Sequence, residues 1–237
     1  MELPFFNFID TLDDDERSIL KTALSQKIDR YFDSNNHLQI NSEDERNQFD
    51  QLAMSLKRLS VHSNIIPADG ILYQGFPAWL NEELLQKVIT EGEGRRLEPL
   101  EQIDHFLGCG GLIADELSVS AELLMFIQNL VPVVVSPTGI ASYIYYDQEG
   151  AGIRPHVDTD VFSLNLILML KHEVSSSYMP SATIVFPAFM EPQSFRLKVG
   201  EVLIMYGGNV IHTRSRIAPG EIVHLLTIGF NLNMKSA

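Results

Sequence analysis

The chain has 237 residues, 45% of them hydrophobic, and a formal net charge of −14. This length and composition support a sizeable apolar core and predict a single domain over 1–237. The acidic balance argues against nucleic-acid binding, which needs Lys and Arg clustered along a phosphate backbone. A small molecule or a peptide is the expected partner, and the oligomeric state stays open.

The single cysteine, Cys109, excludes an internal disulfide and a cysteine-based metal cluster. The acidic start of the chain does not resemble a basic secretory leader, and no apolar run approaches the roughly 20 residues of a membrane span. These features predict a cytoplasmic protein with no membrane segment.

The first part of the chain has the hydrophobic periodicity of amphipathic helices. Thr11 or Asp13 can cap the first helix, and SEDE, which begins at Ser42, resembles a capping box. The predicted elements, in chain order, are a helix over 11–33, a helix after Ser42, a strand over 71–76, a helix over 80–92 and a helix over 118–130. Between the last two, the LGCGG stretch around Cys109 is expected to be flexible.

From residue 133 the sequence changes to short, β-branched segments separated by Gly, Pro, Asp and Ser. In order these predicted strands are VVVS, ASYIYY, VFSLNLILML, ATIVFP, FRLKV, EVLIMYG and IVHLLTIGFNL. With few helices between them, they predict antiparallel connections and a closed barrel or a two-sheet jelly roll in an α+β domain. The predicted divisions are an N-terminal helical segment (1–69), a strand-and-helix region (70–132) and a strand-rich core (133–234).

The densest group of chemically active side chains is the run YDQEGAGIRPHVD, which ends at Asp158. In an extended segment His156 and Asp158 lie on the same side, because side chains alternate across a strand. Their imidazole and carboxylate can therefore reach one ion, and His212, after the strand EVLIMYG, is the candidate third ligand. Two histidines and one carboxylate leave octahedral positions open for O₂ and an organic ligand, as in non-haem Fe(II) oxygenases.

An HxD triplet alone also occurs in surface turns, so the surrounding motifs decide its interpretation. In order along the chain they are Tyr146, Gly150, the triplet, ATIVFP at 182–187, GEVL at 200–203 and His212. With these motifs in this order the sequence resembles the Fe(II)/2-oxoglutarate-dependent dioxygenases, specifically their prolyl 4-hydroxylase-like branch. The resemblance extends over residues 70–232.

The resemblance implies a double-stranded β-helix core, a cupin-like jelly roll, with the N-terminal helices packed on it. It also implies that His156, Asp158 and His212 hold Fe(II), with 2-oxoglutarate as cosubstrate and O₂ as oxidant. The expected reaction is hydroxylation or a related oxidation of a small molecule or an amino-acid side chain. Halogenation is disfavoured, because Asp158 fills a position that Gly or Ala would leave open to halide.

The cosubstrate contacts implied by the resemblance are incomplete. In the family, an Arg or Lys about ten residues after the last histidine pairs with the far carboxylate of 2-oxoglutarate, because a buried carboxylate needs a cation. That position is Ile222 here, beside the acidic Glu221. Tyr146 matches a family tyrosine that hydrogen-bonds the cosubstrate. The candidate cations, each of which also suits a solvated or structural position, are Lys171, Arg214, Arg216 and His224.

Two further functions stay open at this stage. The missing cation at Ile222 favours an Fe(II) oxygenase whose substrate chelates the metal directly, without 2-oxoglutarate. The other is a non-enzymatic jelly-roll binding protein. Segments 95–118 and 172–180 are expected to cover the substrate. The remaining histidines considered, interpreted as structural or surface residues, are His37, His62, His105 and His172.

Overall fold

The structure, a computed structural model, describes residues 8–174 and 179–233. Its α-helices are α1 (Asp14–Ser25), α2 (Glu43–Arg58), α3 (Glu82–Arg95), α4 (Leu112–Ser118) and α5 (Ala121–Gln128), with 3₁₀ turns at Ile28–Tyr31, Ser63–Ile65 and Asp160–Phe162. Its strands are β1 (Ile71–Gly75), β2 (Leu100–Glu101), β3 (Phe106–Cys109), β4 (Val134–Tyr146), β5 (Ile153–His156), β6 (Leu164–Glu173), β7 (Thr183–Phe186), β8 (Gln193–Phe195), β9 (Val202–Met205), β10 (Ile211–Arg214) and β11 (Ile222–Asn233).

The strands form two antiparallel sheets. The larger has the order β1-β9-β6-β11-β4-β3-β2 and the smaller the order β5-β10-β7-β8. Side chains from both sheets line a common cavity, as in a jelly roll whose two sheets face each other. The predicted α+β class with an antiparallel jelly-roll core is confirmed. The proposed division of the chain at residues 69 and 132 stays a prediction.

Helices α3 to α5 cover the outer face of the larger sheet. Alternate residues of β4 point outward, so the Tyr143 hydroxyl donates to Glu91 at 2.8 Å and the Tyr145 hydroxyl donates to the Gly92 carbonyl at 2.7 Å. Glu91 also accepts from the backbone N–H groups of Ile113 and Ala114 at the start of α4. One carboxylate of α3 therefore fixes both the sheet and the neighbouring helix.

A second apolar cluster covers the smaller sheet, as expected for the N-terminal helices. Its buried members are Ile28, Tyr31, Phe49, Leu52, Ala53, Leu56, Phe186 and Ile211. They come from the first 3₁₀ turn, α2, β7 and β10. The helix α1 has no fully buried residue but contributes the partly buried Leu24, so most of the cover comes from α2 and the 3₁₀ turn.

Several predicted elements have different bounds. The helix expected over 11–33 has the predicted cap at Asp13, which accepts from Glu16 in a capping box, but it ends at Ser25. The helix expected over 118–130 is α5, which begins at Ala121 because the Ser120 side chain caps it by accepting from the Leu123 N–H. The short helix α4 (Leu112–Ser118) before it was not predicted.

The strand region also differs from the prediction. VVVS and ASYIYY form one strand of 13 residues, β4. It passes through Gly139 at a φ of 70°, a left-handed conformation that glycine adopts without a steric penalty. Cys109, expected in a flexible segment, lies in β3 opposite Ser142. None of the helices in the described ranges combines the length and apolarity needed to cross a bilayer.

Candidate metal centre

The register of β5 against β10 brings the two predicted histidine ligands together. His212 lies directly opposite His156 in this antiparallel pair, and their ring centroids are 4.4 Å apart. Asp158 follows on the loop after β5, and its backbone N–H donates to the Gly207 carbonyl at 2.8 Å. One ligand atom from each of His156, Asp158 and His212 lies within 4.8 Å of the others.

The three side chains converge on the Asp158 carboxylate. Its Oδ1 is 3.3 Å from Nε2 of His156 and 3.6 Å from Nε2 of His212. Burial would raise the pKa of Asp158, but the charges and hydrogen bonds of His212 and His156 outweigh burial and hold it well below its usual range. The carboxylate is therefore ionised at neutral pH, which is the state that binds a metal.

Both imidazoles are oriented by backbone carbonyls. Nδ1 of His156 is 2.7 Å from the Arg154 carbonyl, and Nδ1 of His212 is 3.0 Å from the Val210 carbonyl. Because a carbonyl can only accept, each Nδ1 carries a proton, and Nε2 is the nitrogen that would bind a metal ion once the ion displaces its proton. This is the partner arrangement that metal-binding histidines have in proteins.

The carboxylate of Asp158 is fixed from its other side. Nδ2 of Asn165 donates to its Oδ2 at 2.8 Å. Gly207 lies so close that a Cβ at this position would collide with Oδ2 of Asp158. The donor set of two imidazoles and one carboxylate, pre-oriented in this way, fits a divalent iron ion.

The cluster forms part of the wall of a cavity of about 290 Å³. The lining is mainly apolar and comes from both sheets, with a few hydroxyl groups among the aliphatic side chains. Its members on the larger sheet include Leu107, Ser142, Ile144, Ile167, Leu225 and Thr227. Such a lining suits a small organic molecule that is oriented by a few polar groups.

Arg214 lines the same cavity. It is two residues after His212 on β10, so both side chains lie on the same side of the strand. Arg214 is only 2% exposed, and burial lowers its pKa to about 10, which leaves it a cation at neutral pH. Its Nη2 donates to the Ser181 hydroxyl at 2.7 Å, whereas Nε and Nη1 are buried without a partner among residues 8–174 and 179–233. A buried cation with unused N–H groups fits a carboxylate ligand.

Tyr146 stands at the same cavity and is 2% exposed. Burial raises the pKa of its hydroxyl above the ordinary value, although the charge of Arg214 opposes this shift. The phenol is therefore protonated at neutral pH and can donate a hydrogen bond. Both Tyr146 and Arg214 had been predicted to contact the cosubstrate, and the structure brings them to the metal-ligand cluster.

The other three candidate cations lie elsewhere. Lys171 pairs with Glu173 at 3.1 Å, and it shares a separate hollow with His224. His224 faces away from the cavity because its neighbours on β11, Leu225 and Thr227, face toward it; its Nε2 is 3.9 Å from Asp147.

Arg216 is held by two backbone carbonyls. Its Nε donates to Ser34 and its Nη1 to Gly150, each at 2.6 Å. The side chain lines two outer hollows and not the cavity of the cluster. The structure thus does not bring Lys171, His224 or Arg216 to the metal ligands.

The structure also places two residues at the site that the sequence did not indicate. Asn165 contacts Asp158, and its position as a polar residue in the apolar strand LNLILML was a usable signal. His105, interpreted as structural or surface, lines the cavity beside Tyr146. It belongs to segment 95–118, which was expected to cover the substrate. Of the other expected cover, 172–180, residues 175–178 lie outside the described residues.

Comparison with known proteins adds fold-level likenesses. One similar structure is an oxidoreductase of the 2OG-Fe(II) oxygenase family from Burkholderia pseudomallei, with a TM-score of 0.55 and 13% identity over 68% of this chain and 84% of that one. A prolyl-4-hydroxylase from Pseudomonas putida has a TM-score of 0.52 and 16% identity, over 71% and 94%. The non-haem α-ketoglutarate-dependent epimerase SnoN from nogalamycin biosynthesis has a TM-score of 0.58 and 10% identity, over 78% and 83%.

No family model matches this sequence, and no curated protein matches it either. The similar solved structures therefore establish the fold. This chain has the double-stranded β-helix fold of the 2-oxoglutarate- and Fe(II)-dependent oxygenases, as the resemblance implied.

Proposed function

We propose that this chain is a non-haem Fe(II) oxygenase that couples decarboxylation of 2-oxoglutarate to hydroxylation, or a related oxidation, of an organic substrate. One observation carries the proposal. The candidate ligand atoms of His156, Asp158 and His212 lie within 4.8 Å of one another, on the wall of a cavity that also contains the buried, incompletely paired guanidinium of Arg214.

Iron with bound 2-oxoglutarate supplies the activation of O₂, which amino-acid side chains cannot perform. The protein would contribute the three side chains that hold the metal and the cavity beside them. His156 and His212 would bind the metal through Nε2 and Asp158 through Oδ1, and all three side chains line the cavity that would receive the organic ligands. The backbone carbonyls and Asn165 keep these ligands in place before the metal arrives.

Arg214 and Tyr146 would hold the far carboxylate of 2-oxoglutarate. The arginine offers a permanent positive charge and unused N–H groups, and the tyrosine offers a protonated hydroxyl. Thr183, which pairs with Arg214 in register across β7 and β10, adds a hydroxyl to the same wall. In this mainly apolar cavity such charge-assisted hydrogen bonds are stronger than they are in water.

The position of Arg214 bears on whether 2-oxoglutarate is used. Direct chelation of the metal by the substrate was favoured by the missing cation at Ile222 on β11. Arg214 provides a cation from β10 to the cavity of the metal ligands, which supports the 2-oxoglutarate-dependent mechanism. The family cation would thus be replaced by one on β10, a strand of the smaller sheet.

The substrate is proposed to be a small molecule or an amino-acid side chain. The names of the similar structures cover both kinds, since one is a prolyl-4-hydroxylase and another acts in nogalamycin biosynthesis. The volume of the cavity is compatible with either. The single cysteine of the chain is consistent with a cytoplasmic location.

The test measures metal and cosubstrate together. Protein purified without metal is loaded anaerobically with Fe(II), and release of labelled CO₂ from carboxyl-labelled 2-oxoglutarate is followed after O₂ is added, with and without candidate substrates. We expect one Fe(II) per chain and CO₂ release that disappears in His212→Ala. One Fe(II) per chain without CO₂ release would favour direct substrate chelation, and the absence of stoichiometric metal would favour a binding protein.

A further inference from the structure

A buried polar network lies behind Arg214, on the side away from the metal ligands. Nη2 of Arg214 donates to the Ser181 hydroxyl at 2.7 Å and is 3.3 Å from the Ser181 carbonyl. The Ser181 hydroxyl in turn donates to Oε1 of Glu221 at 2.6 Å, and the Ser181 N–H donates to the same oxygen at 2.8 Å. The arginine and the glutamate are each only 2% exposed.

The direction of these hydrogen bonds is determined by the chemistry of the groups. An ionised carboxylate and a guanidinium can each play only one part, the first accepting and the second donating. The single proton of the Ser181 hydroxyl therefore goes to Glu221, and the lone pairs of the oxygen face Arg214. Glu221 thus fixes the orientation in which Ser181 accepts from Nη2.

Glu221 is itself held firmly. Its Oε2 accepts from the Ala218 N–H at 3.0 Å, and Nε2 of His172 donates to its Oε1 at 2.8 Å. Burial would raise the pKa of Glu221, but hydrogen bonds from Ser181, Ala218 and His172 lower it below the ordinary value. The carboxylate is therefore an anion at neutral pH, and its lone pairs are engaged with donors of the protein.

These contacts change the interpretation of Glu221. From the sequence alone, this acidic residue is expected to disfavour binding of the dianion 2-oxoglutarate. Its charge is directed at Ser181, Ala218 and His172, and it partly compensates the buried charge of Arg214. With Nη2 occupied by Ser181, the N–H groups that Arg214 can offer to a cavity ligand are those of Nε and Nη1.

We propose that Ser181 and Glu221 are positioning residues for Arg214, which hold the guanidinium so that Nε and Nη1 meet the far carboxylate of 2-oxoglutarate. This inference rests on the proposed function. Neither residue touches the cosubstrate, so both act through the arginine. A rigid, pre-oriented guanidinium loses less conformational freedom on binding than a free one.

The test uses 2-oxoglutarate and Mn(II), an ion that occupies the Fe(II) site without redox turnover. Binding of Mn(II), and then of 2-oxoglutarate to the Mn(II)-loaded protein, is measured by calorimetry without substrate. Ser181→Ala removes the hydroxyl that accepts from Arg214. Ser215→Ala is the matched control, because the Ser215 hydroxyl bonds the backbone of Ala182 and not Arg214.

We expect Ser181→Ala to raise the Kd for 2-oxoglutarate about tenfold, or about 1.4 kcal/mol, with the Kd for Mn(II) within about twofold of the wild type. Ser215→Ala should change neither constant by more than about twofold. Glu221→Gln should weaken 2-oxoglutarate binding about as much as Ser181→Ala does. The double variant should be no weaker than the worse single one, because both changes act through one hydroxyl.

The inference is overturned if Ser181→Ala binds 2-oxoglutarate as tightly as the wild type, or if Ser215→Ala weakens it equally. It is also overturned if Mn(II) and 2-oxoglutarate binding fall together in Ser181→Ala, since that indicates general damage to the fold. If the wild-type protein binds Mn(II) but no 2-oxoglutarate, the cosubstrate part of the proposed function fails, and the inference fails with it. The two failures are therefore distinguishable.

Discussion

The two ends of β10 present different kinds of site within one cavity. At the His212 end, three side chains converge with their ligand atoms directed at a common point, and His156 is still 30% exposed at its side chain. At the Arg214 end, a single cation is 2% exposed and is backed by an anion that is equally buried. In the proposed function the first end would bind the metal, and the second would anchor the far carboxylate of 2-oxoglutarate.

This difference shows how the two ends should respond to substitution. If 2-oxoglutarate binds as proposed, its binding needs both the metal ligands and Arg214, whereas metal binding needs the three ligands alone. Changes at the metal ligands should therefore abolish binding of both Mn(II) and 2-oxoglutarate. Changes at Arg214 should affect 2-oxoglutarate alone.

The largest effect is expected for Asp158→Ala. Removing one of three protein ligands should raise the Kd for Mn(II) more than about 100-fold, because loss of a mere supporting partner already costs 10- to 100-fold. Calorimetric titration of Mn(II) measures this. Asp160→Ala is the control, since Asp160 lies on the same loop but its side chain is 69% exposed and pairs with Lys21. Equal Mn(II) binding by Asp158→Ala and the wild type would remove Asp158 from the ligand set.

The second largest effect is expected for Arg214→Gln, which removes the buried charge at the other end of β10. We expect the Kd for 2-oxoglutarate to rise about 100-fold, within the range found when one partner of a buried charged pair is truncated. The Kd for Mn(II) should change by less than about threefold. Lys171→Gln is the control, because it also removes one positive charge but does so in a separate hollow. If Lys171→Gln is the variant that loses 2-oxoglutarate, the anchor lies on β6 instead.

A smaller effect is expected for Gly207→Ala, which tests whether the Asp158 carboxylate is held in the position that the structure shows. The added Cβ would collide with Oδ2 of Asp158, so the carboxylate must shift, and Mn(II) binding should weaken about tenfold. Gly94→Ala is a suitable control, because a Cβ at Gly94 meets nothing within 4 Å. Unchanged Mn(II) affinity in Gly207→Ala would mean that Asp158 is not held at this position.

The smallest effect concerns the stability of the anchor end. The pKa of Glu221 is lower in the folded protein than its ordinary value of 4.5, so its stabilising contribution is present above pH 4.5 and is lost as pH falls through the folded-state pKa. Glu221→Gln should lower the free energy of unfolding by about 1 kcal/mol at pH 7. In urea denaturation the gap between wild type and variant should narrow below pH 4.5. A gap that widens on acidification would contradict this sign.

The sequence allowed the metal end to be predicted because its geometry is local. An i, i+2 pair on an extended segment must face one way, so His156 and Asp158 could be paired without a structure. The third ligand followed from the order of the surrounding motifs. What the sequence could not give was the register of β5 against β10, which sets His212 opposite His156.

The anchor end was harder to predict for a physical reason. A charge at one point inside a barrel can come from any strand whose side chains reach that point, so Lys171, Arg214, Arg216 and His224 were all candidates. Only the direction in which each side chain points shows which of the four candidates reaches the cavity. The role proposed for Ser181 could not be anticipated either, because nothing in its local sequence links it to residues far along the chain.

Helix bounds failed where apolar periodicity continued past a structural break. The pattern over 11–33 runs through two elements, because Ile28 and Tyr31 are buried in a 3₁₀ turn that follows α1. The jelly-roll class was predictable because strand composition and short connections do not depend on register. The sequence therefore predicted the two-sheet core more reliably than it predicted the residues at which individual helices end.

A crystal structure of the protein grown anaerobically with Mn(II) and 2-oxoglutarate tests the central claim most directly. We expect one metal ion bound by His156, Asp158 and His212, with the far carboxylate of 2-oxoglutarate at Nε and Nη1 of Arg214 and at the Tyr146 hydroxyl. A metal ion bound by other residues, or 2-oxoglutarate held away from Arg214, would contradict it.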